Sequence, residues 1–116
     1  MRQVRILIPL VWLAAALVLR ATAGVAGGAS DTRASRVAVA IENYEFQPDP
    51  ITVAVGSTVV WTNRDEVNHN VVSKDRLFSS PELEPGHHFE FTFQKSGRFD
   101  YFCSLHPEMK GRVIVE

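Results

Sequence analysis

Three side chains that can bind a metal ion lie within seven residues near the C-terminus, in the stretch Tyr101-Phe-Cys-Ser-Leu-His-Pro-Glu-Met-Lys-Gly-Arg-Val-Ile-Val115. They are the thiol of Cys103, the imidazole of His106 and the thioether of Met109. Taken singly, each is better explained as a buried or solvated residue without a special role. Together in one loop after a strand-like segment they indicate a metal site, because sulfur donors combined with imidazole are typical ligands of transition metals.

Cys103 is the only cysteine among the 116 residues, so it cannot form a disulfide within the chain. An unpaired cysteine is unusual in an exported protein, and the N-terminus predicts export. Two arginines lie in residues 1–5, Ile6–Leu19 is apolar, and small residues follow up to Ala23. The predicted divisions are a secretory signal peptide at 1–23, a flexible lead-in at 24–35 and one folded domain at 36–116.

The apolar run has 14 residues, fewer than the roughly 20 that span a membrane. A cleaved signal is therefore favoured over an uncleaved anchor, and only the anchor would keep the protein on a membrane. Cleavage after Ala23 is favoured over cleavage after Ala26, and a buried helix is the remaining alternative. We expect an exported protein of the bacterial periplasm. Losing Arg2, Arg5 and Arg20 leaves nine basic side chains against 13 acidic ones, a net charge of −4. Such a surface does not favour nucleic acid.

Residues 36–116 alternate between apolar and polar side chains with the period of a half-buried strand. Turn residues such as Pro85-Gly86 and Lys95-Ser96-Gly97 separate these segments, and no helical pattern is convincing. Short strands at this spacing predict an all-β fold, an antiparallel sandwich or barrel. The alternating apolar positions include Val37, Val39, Ile41, Ile51, Val53, Val55, Val59, Trp61, Phe89, Phe91, Phe93, Val113 and Val115.

A plane of two histidines and one cysteine with a long axial methionine is the arrangement of blue-copper sites. Such a site needs a second histidine, and His69 qualifies, because it lies at a loop-to-strand junction 34 residues before Cys103. His87 and His88 are adjacent, and adjacent strand residues face opposite sides. We expect these two to be solvated, with a weak accessory copper or zinc contact as the alternative.

The loop from Cys103 to Met109 resembles the C-terminal copper loop of the cupredoxins, of the amicyanin and plastocyanin type. The resemblance extends from about Val37 to Glu116 and includes Ile51-Thr-Val-Ala-Val-Gly, Trp61-Thr-Asn and His69-Asn-Val. It implies a single Greek-key antiparallel β-sandwich holding one type 1 copper ion. In that site the equatorial ligands would be His69, Cys103 and His106, and the axial ligand would be Met109.

Three further expectations concern the neighbours of these ligands. Asn70 resembles the family's asparagine that ties the two ligand loops together. Leu105 stands where such loops usually carry proline, so it keeps an N–H that proline lacks. If that N–H points at the Cys103 sulfur, Leu105→Pro should lower the reduction potential. Asp65 and Glu66 are expected to be ordinary solvated loop residues.

Four protein ligands leave no open position for a substrate, and no nucleophile–base pair or phosphate loop is visible, so an enzyme is not expected. The predicted function is single-electron transfer between redox proteins by Cu(I)/Cu(II) cycling, with copper sequestration or delivery as the alternative.

By resemblance, His106 would face solvent, and donor and acceptor proteins would dock transiently near His106 and Pro107. Met109 is the only methionine left after the signal, which favours a carrier. We expect a monomer.

Overall fold

The computed structural model of the protein describes residues 33–116, so the predicted signal peptide and residues 24–32 of the lead-in lie outside the described residues. The described chain forms eight strands and no helix that could cross a membrane. The strands are β1 (Arg36–Glu42), β2 (Glu45–Gln47), β3 (Ile51–Val53), β4 (Thr58–Asn63), β5 (Val72–Ser73), β6 (His88–Thr92), β7 (Gly97–Phe102) and β8 (Lys110–Val115).

These strands make two four-stranded sheets, with the orders β2-β1-β4-β6 and β3-β8-β7-β5. The predicted all-β sandwich is confirmed. Its sheets are mixed, however, because β1 pairs with β4 and β3 with β8 in parallel, so an all-antiparallel arrangement was wrong for these two pairs. The chain leaves the first sheet after β2, adds β3 to the second sheet and returns as β4 in the direction of β1. Alternation reports which face a residue occupies, and it carries no information on the direction of the neighbouring strand.

The core lies between the sheets and is built from one face of each strand. Val39 and Ile41 of β1 and Val59 and Trp61 of β4 are almost completely buried. Across from them lie Tyr101, Val113 and Val115, and the Trp61 ring contacts Phe78, Phe89 and Tyr101. The period-two pattern therefore identified the core residues of β1 and β4, whereas Val55, which it also included, is 43% exposed.

Gly111 in β8 lies opposite Tyr101 in β7. A Cβ atom at position 111 would overlap the Tyr101 ring, which is fully buried. Glycine is thus required here by a close approach between neighbouring strands. The contact fixes the start of β8, directly after the predicted ligand Met109.

The ends of β1, β4 and β7 and the beginning of β8 meet at one end of the sandwich, because β1 and β4 are parallel while β7 and β8 are antiparallel. All predicted ligands lie in the loops at this end. At the other end, Ser35 already belongs to the fold: its carbonyl accepts a hydrogen bond from Thr58 N (2.9 Å), and its N–H donates to Ser57 Oγ (3.1 Å). Ser35, the last residue of the expected lead-in, therefore extends the β1–β4 pairing by one residue.

Candidate metal centre

Cys103 follows β7 directly, and its side chain is fully buried. The Nδ1 atoms of His69 and His106 lie 3.7 and 3.8 Å from its Sγ atom. The three donor atoms all lie within 4.8 Å of one another. Metal–nitrogen bonds of about 2.1 Å and metal–sulfur bonds of about 2.3 Å, at angles of ~110–120°, would separate N and S by roughly 3.6–3.8 Å. The residues therefore fit a single bound metal ion.

Met109 completes the set from the end of the same loop. Its backbone N–H donates to the carbonyl of His106 (2.9 Å), and its own carbonyl accepts from Cys103 N (3.1 Å). These two bonds close the loop between β7 and β8, which we call the Cys–Met loop (residues 103–109). Met109 is buried and lies close to the other three donors, as in a type 1 copper site.

His69 lies in the connection between β4 and β5, which we call the His69 loop (residues 64–71). Its ring is fully buried, and its Nε2 atom lies 2.8 Å from Asp65 Oδ2. A proton held on Nε2 by this carboxylate leaves the Nδ1 lone pair directed at Cys103, which is the common way of orienting a metal-binding histidine. The expectation that Asp65 is merely solvated was wrong, since its side chain is only 12% exposed. Glu66 is exposed as expected.

Asp65 remains charged in this position. Burial by itself would raise the pKa of Asp65, but the backbone N–H groups of Tyr44 and Asn43 and the ring of His69 together lower it below its usual value. Asp65 Oδ1 accepts from Asn43 N at 2.7 Å, and Oδ2 accepts from Tyr44 N at 3.0 Å. One carboxylate therefore connects the His69 loop to the β1–β2 turn. A carboxylate near a predicted histidine ligand in the sequence was the available signal for this role.

Asn70 ties the two loops together, as the resemblance implied. Its Nδ2 donates to Ser104 Oγ (2.6 Å), and its Oδ1 accepts from Ser104 N (2.7 Å). Its backbone N–H donates to Cys103 Sγ at 3.5 Å. Within residues 33–116 no hydrogen bond from Leu105 N to this sulfur is present, so the structure gives no support to the expectation that Leu105→Pro lowers the potential.

Two further contributors were missed from the sequence. Asn63 at the end of β4 donates from Nδ2 to the carbonyls of Val67 and Leu83 (2.8 Å each) and accepts from Asp65 N, which shapes the His69 loop. Tyr44 in the β1–β2 turn places its ring against the rings of both His69 and His106. An asparagine two residues before Asp65 is a recognisable turn signal, whereas nothing local in the sequence indicates the position of Tyr44.

His106 is half-buried, while the other three donors are buried. His87 and His88 are exposed and lie outside the donor cluster, so the expectation that they are solvated is confirmed. His87 Nε2 lies 3.8 Å from Glu84 Oε2 at the surface.

A mixed β-sandwich with a Cys–His–His cluster, of which only His106 is partly exposed, and an adjacent methionine in the end loops defines a single-site metalloprotein of the blue-copper class. The family model of the cupredoxin-like domain matches residues 7–115, and the chain belongs to this family. Among curated relatives, amicyanin-alpha of Methylorubrum extorquens is 35% identical over 116 residues, covering 92% of this chain and 98% of that protein. Amicyanin of Paracoccus versutus is 36% identical over 93 residues, covering 76% and 70% of the two chains.

Solved structures agree with this assignment. A purple cupredoxin from Nitrosopumilus maritimus is 35% identical with a TM-score of 0.66, covering 69% of this chain and 99% of that one. A nitrite reductase from Thermus scotoductus has the same TM-score and 31% identity, but only 24% of that enzyme is covered. The enzyme likeness is therefore confined to one part of a much longer chain.

Proposed function

We propose that the protein is an exported type 1 copper protein that carries single electrons between a redox donor and a redox acceptor. The residues that would hold the copper ion are His69, Cys103, His106 and Met109. The proposal is carried by the exposure of the four donor residues, since three are buried and His106 alone is half-buried. Copper bound by such a set supplies a one-electron Cu(I)/Cu(II) couple.

The protein's own residues suit this task in two ways. The buried donors are held by hydrogen bonds of the surrounding loops, so the site is already formed and little rearrangement is needed between two oxidation states. Four donors fill the coordination sphere, so no open position is left for a substrate, which supports a carrier rather than an enzyme. Amicyanins and plastocyanins, to which the chain is related, are electron-transfer blue copper proteins.

Apolar side chains are exposed on the loops at the end of the sandwich that holds His106. The docking patch that we propose consists of His106, Pro107 and three exposed side chains of the end loops, Tyr44 (50% exposed), Leu105 (41%) and Val67 (38%). Electron-transfer complexes are typically small and transient, and we expect a monomer in solution. A net charge of −4 after removal of the signal favours partners with a basic face.

Titration of the purified domain, residues 24–116, with Cu(II) tests the site. We expect one copper per chain and an intense charge-transfer band that makes the protein coloured. Cys103→Ser should abolish the band because the thiolate is its origin, and His87→Ala, an exposed histidine outside the cluster, should keep it. A colourless one-to-one complex of the wild-type domain contradicts the assignment.

A second experiment separates electron transfer from copper delivery. Stopped-flow mixing of the reduced protein with an oxidised redox protein should give fast, saturable oxidation without loss of copper. Mixing with a metal-free copper acceptor should leave the metal on the protein. Rapid copper transfer combined with slow oxidation would instead favour sequestration or delivery.

Export is tested by expressing the full chain in a Gram-negative host. We expect the protein in the periplasmic fraction, with an N-terminus at Gly24 after removal of residues 1–23. Retention in the membrane fraction at full length would indicate an uncleaved anchor.

A further inference from the structure

Tyr44 has an unusual backbone conformation. It and Asn43 form the two central positions of the β1–β2 turn, with φ angles of 59° and 53°. Turns of this kind favour Asn followed by Gly, because both central residues need positive φ. A bulky side chain at positive φ is strained and persists only where the surrounding structure enforces it. Tyrosine thus stands where glycine would be the relaxed choice.

The Asp65 carboxylate enforces this conformation. It accepts the backbone N–H groups of both Asn43 and Tyr44, at 2.7 and 3.0 Å, and it also contacts His69 Nε2 at 2.8 Å. The strained turn is therefore bound to the same carboxylate that orients the buried histidine. Any movement of the turn relative to the metal centre would break these hydrogen bonds.

The result of this strain is a tyrosine ring packed on both histidines. The ring centroid of Tyr44 lies 5.4 Å from that of His69 and 5.0 Å from that of His106, at interplanar angles of 88° and 89°. Perpendicular contacts at this distance are favourable for aromatic rings. Tyr44 is half exposed, so its ring lies between the two imidazoles and solvent on this side.

His106 depends on this contact more than His69 does. His69 has a carboxylate on Nε2, whereas among residues 33–116 no carboxylate contacts the ring of His106. Its described ring contacts are Cys103 Sγ, His69 and Tyr44. Among these described contacts the ring of Tyr44 is the one from outside the ligand set, so it can limit rotation of the half-buried imidazole.

We propose that Tyr44 is a positioning residue of the metal centre, whose ring is held in a strained turn so that it restrains His106 and limits the access of water and small ligands to the metal. The inference deepens the proposed function and rests on it for its copper readouts. Two variants of Tyr44 should therefore behave differently. Tyr44→Gly should relax the turn while loosening the metal centre, and Tyr44→Phe should preserve both, because only the ring is required.

The first test uses the metal-free domain, so that it does not depend on the identity of the metal. Urea denaturation should show Tyr44→Gly unfolding at a midpoint equal to or above that of wild type, because glycine adopts positive φ without strain. In NMR relaxation measurements the order parameter of the His106 ring should fall in Tyr44→Gly and stay near wild type in Tyr44→Phe. An unchanged order parameter of His106 in Tyr44→Gly would overturn the proposal.

The second test uses the copper-loaded domain. Tyr44→Gly should bind Cu(II) about tenfold more weakly than wild type in competition with a chelator, as for other residues that orient metal ligands. It should also bind added azide or imidazole, seen as a change of the EPR spectrum, whereas Tyr44→Phe and wild type should not. A Tyr44→Gly protein with wild-type copper retention and EPR response contradicts the restraining role. If wild type itself forms no coloured copper site, the proposed function fails, while the NMR result still decides the role of Tyr44.

Discussion

The two loops that supply the metal donors are held in different ways. The His69 loop is held by two side chains other than the ligand: Asn63 donates hydrogen bonds to two carbonyls, and Asp65 contacts the imidazole. His69 also exchanges two backbone hydrogen bonds with Leu83 (3.2 and 2.7 Å). The Cys–Met loop is closed mainly by two backbone bonds of its own. It is tied to the other loop by the Asn70–Ser104 pair and by the bond from Asn70 N to Cys103 Sγ.

The difference between the two loops matches the difference in exposure between their histidines. His69 is fully buried and held by a charged hydrogen bond, whereas His106 is half-buried and held by ring packing. A buried ligand can be immobilised by polar groups, because those groups are themselves shielded from water. His106, which is half-buried, is not enclosed in this way. The following changes test whether the two loops really carry these separate roles.

We expect the largest effect from Gly111→Ala, which alters the strand that follows the Cys–Met loop. The new methyl group overlaps the buried Tyr101 ring, and such overpacking costs about 3 kcal/mol. Urea denaturation of the metal-free domain measures the loss. Lys110→Ala, at the neighbouring exposed position, is the control and should cost less than about 0.5 kcal/mol. Equal stabilities for the two variants would mean that β8 can shift freely.

Asp65→Asn should have the next largest effect, on the His69 loop. Loss of the charged partner of an imidazole ligand lowers metal affinity by about 10–100-fold. The loss should be greater for Cu(II) than for Cu(I), so the reduction potential rises by about 59 mV for each tenfold difference. Cyclic voltammetry and competition with a chelator measure the two quantities. Glu66→Gln, at an exposed neighbouring position, is the control. An unchanged reduction potential in Asp65→Asn would contradict the view that His69, unlike His106, is held by a carboxylate.

Asn70→Ala should uncouple the two loops. The change removes two hydrogen bonds to Ser104 and should cost about 1–3 kcal/mol. Ser104→Ala keeps the bond from the backbone N–H to Asn70 Oδ1, so we expect a smaller loss. A double-mutant cycle with thermal denaturation gives the coupling between the two positions. Additive effects would show that the loops are held independently.

Leu105→Pro should have the smallest effect. The sulfur of Cys103 receives its backbone hydrogen bond from Asn70, and within the described residues none comes from Leu105. We therefore expect a potential and a visible spectrum close to those of wild type, measured by voltammetry and absorption. A fall in the potential would show that Leu105 N–H does reach the sulfur once copper is bound.

Much of the fold followed from patterns that act over short distances. Alternation located β1, β4 and β6, whose inward residues must be apolar wherever the strands run. The same pattern did not reveal β2, which has only three residues, or the parallel pairing of β1 with β4. Pairing direction depends on where the chain crosses between sheets, and no local preference of these residues specifies that crossing.

The sequence by itself determined the kind of metal donors, because Cys103, His106 and Met109 lie in one loop and their spacing is local. Only the tertiary structure decided how each donor is held. Asp65 lies four residues before His69, so that contact is local. The bonds from Asp65 to the β1–β2 turn, and the position of Tyr44 beside both histidines, exist only because the sheets bring that turn to the His69 loop. Contacts between residues about 20 to 60 positions apart depend on the packing of two sheets, which no short stretch of sequence contains.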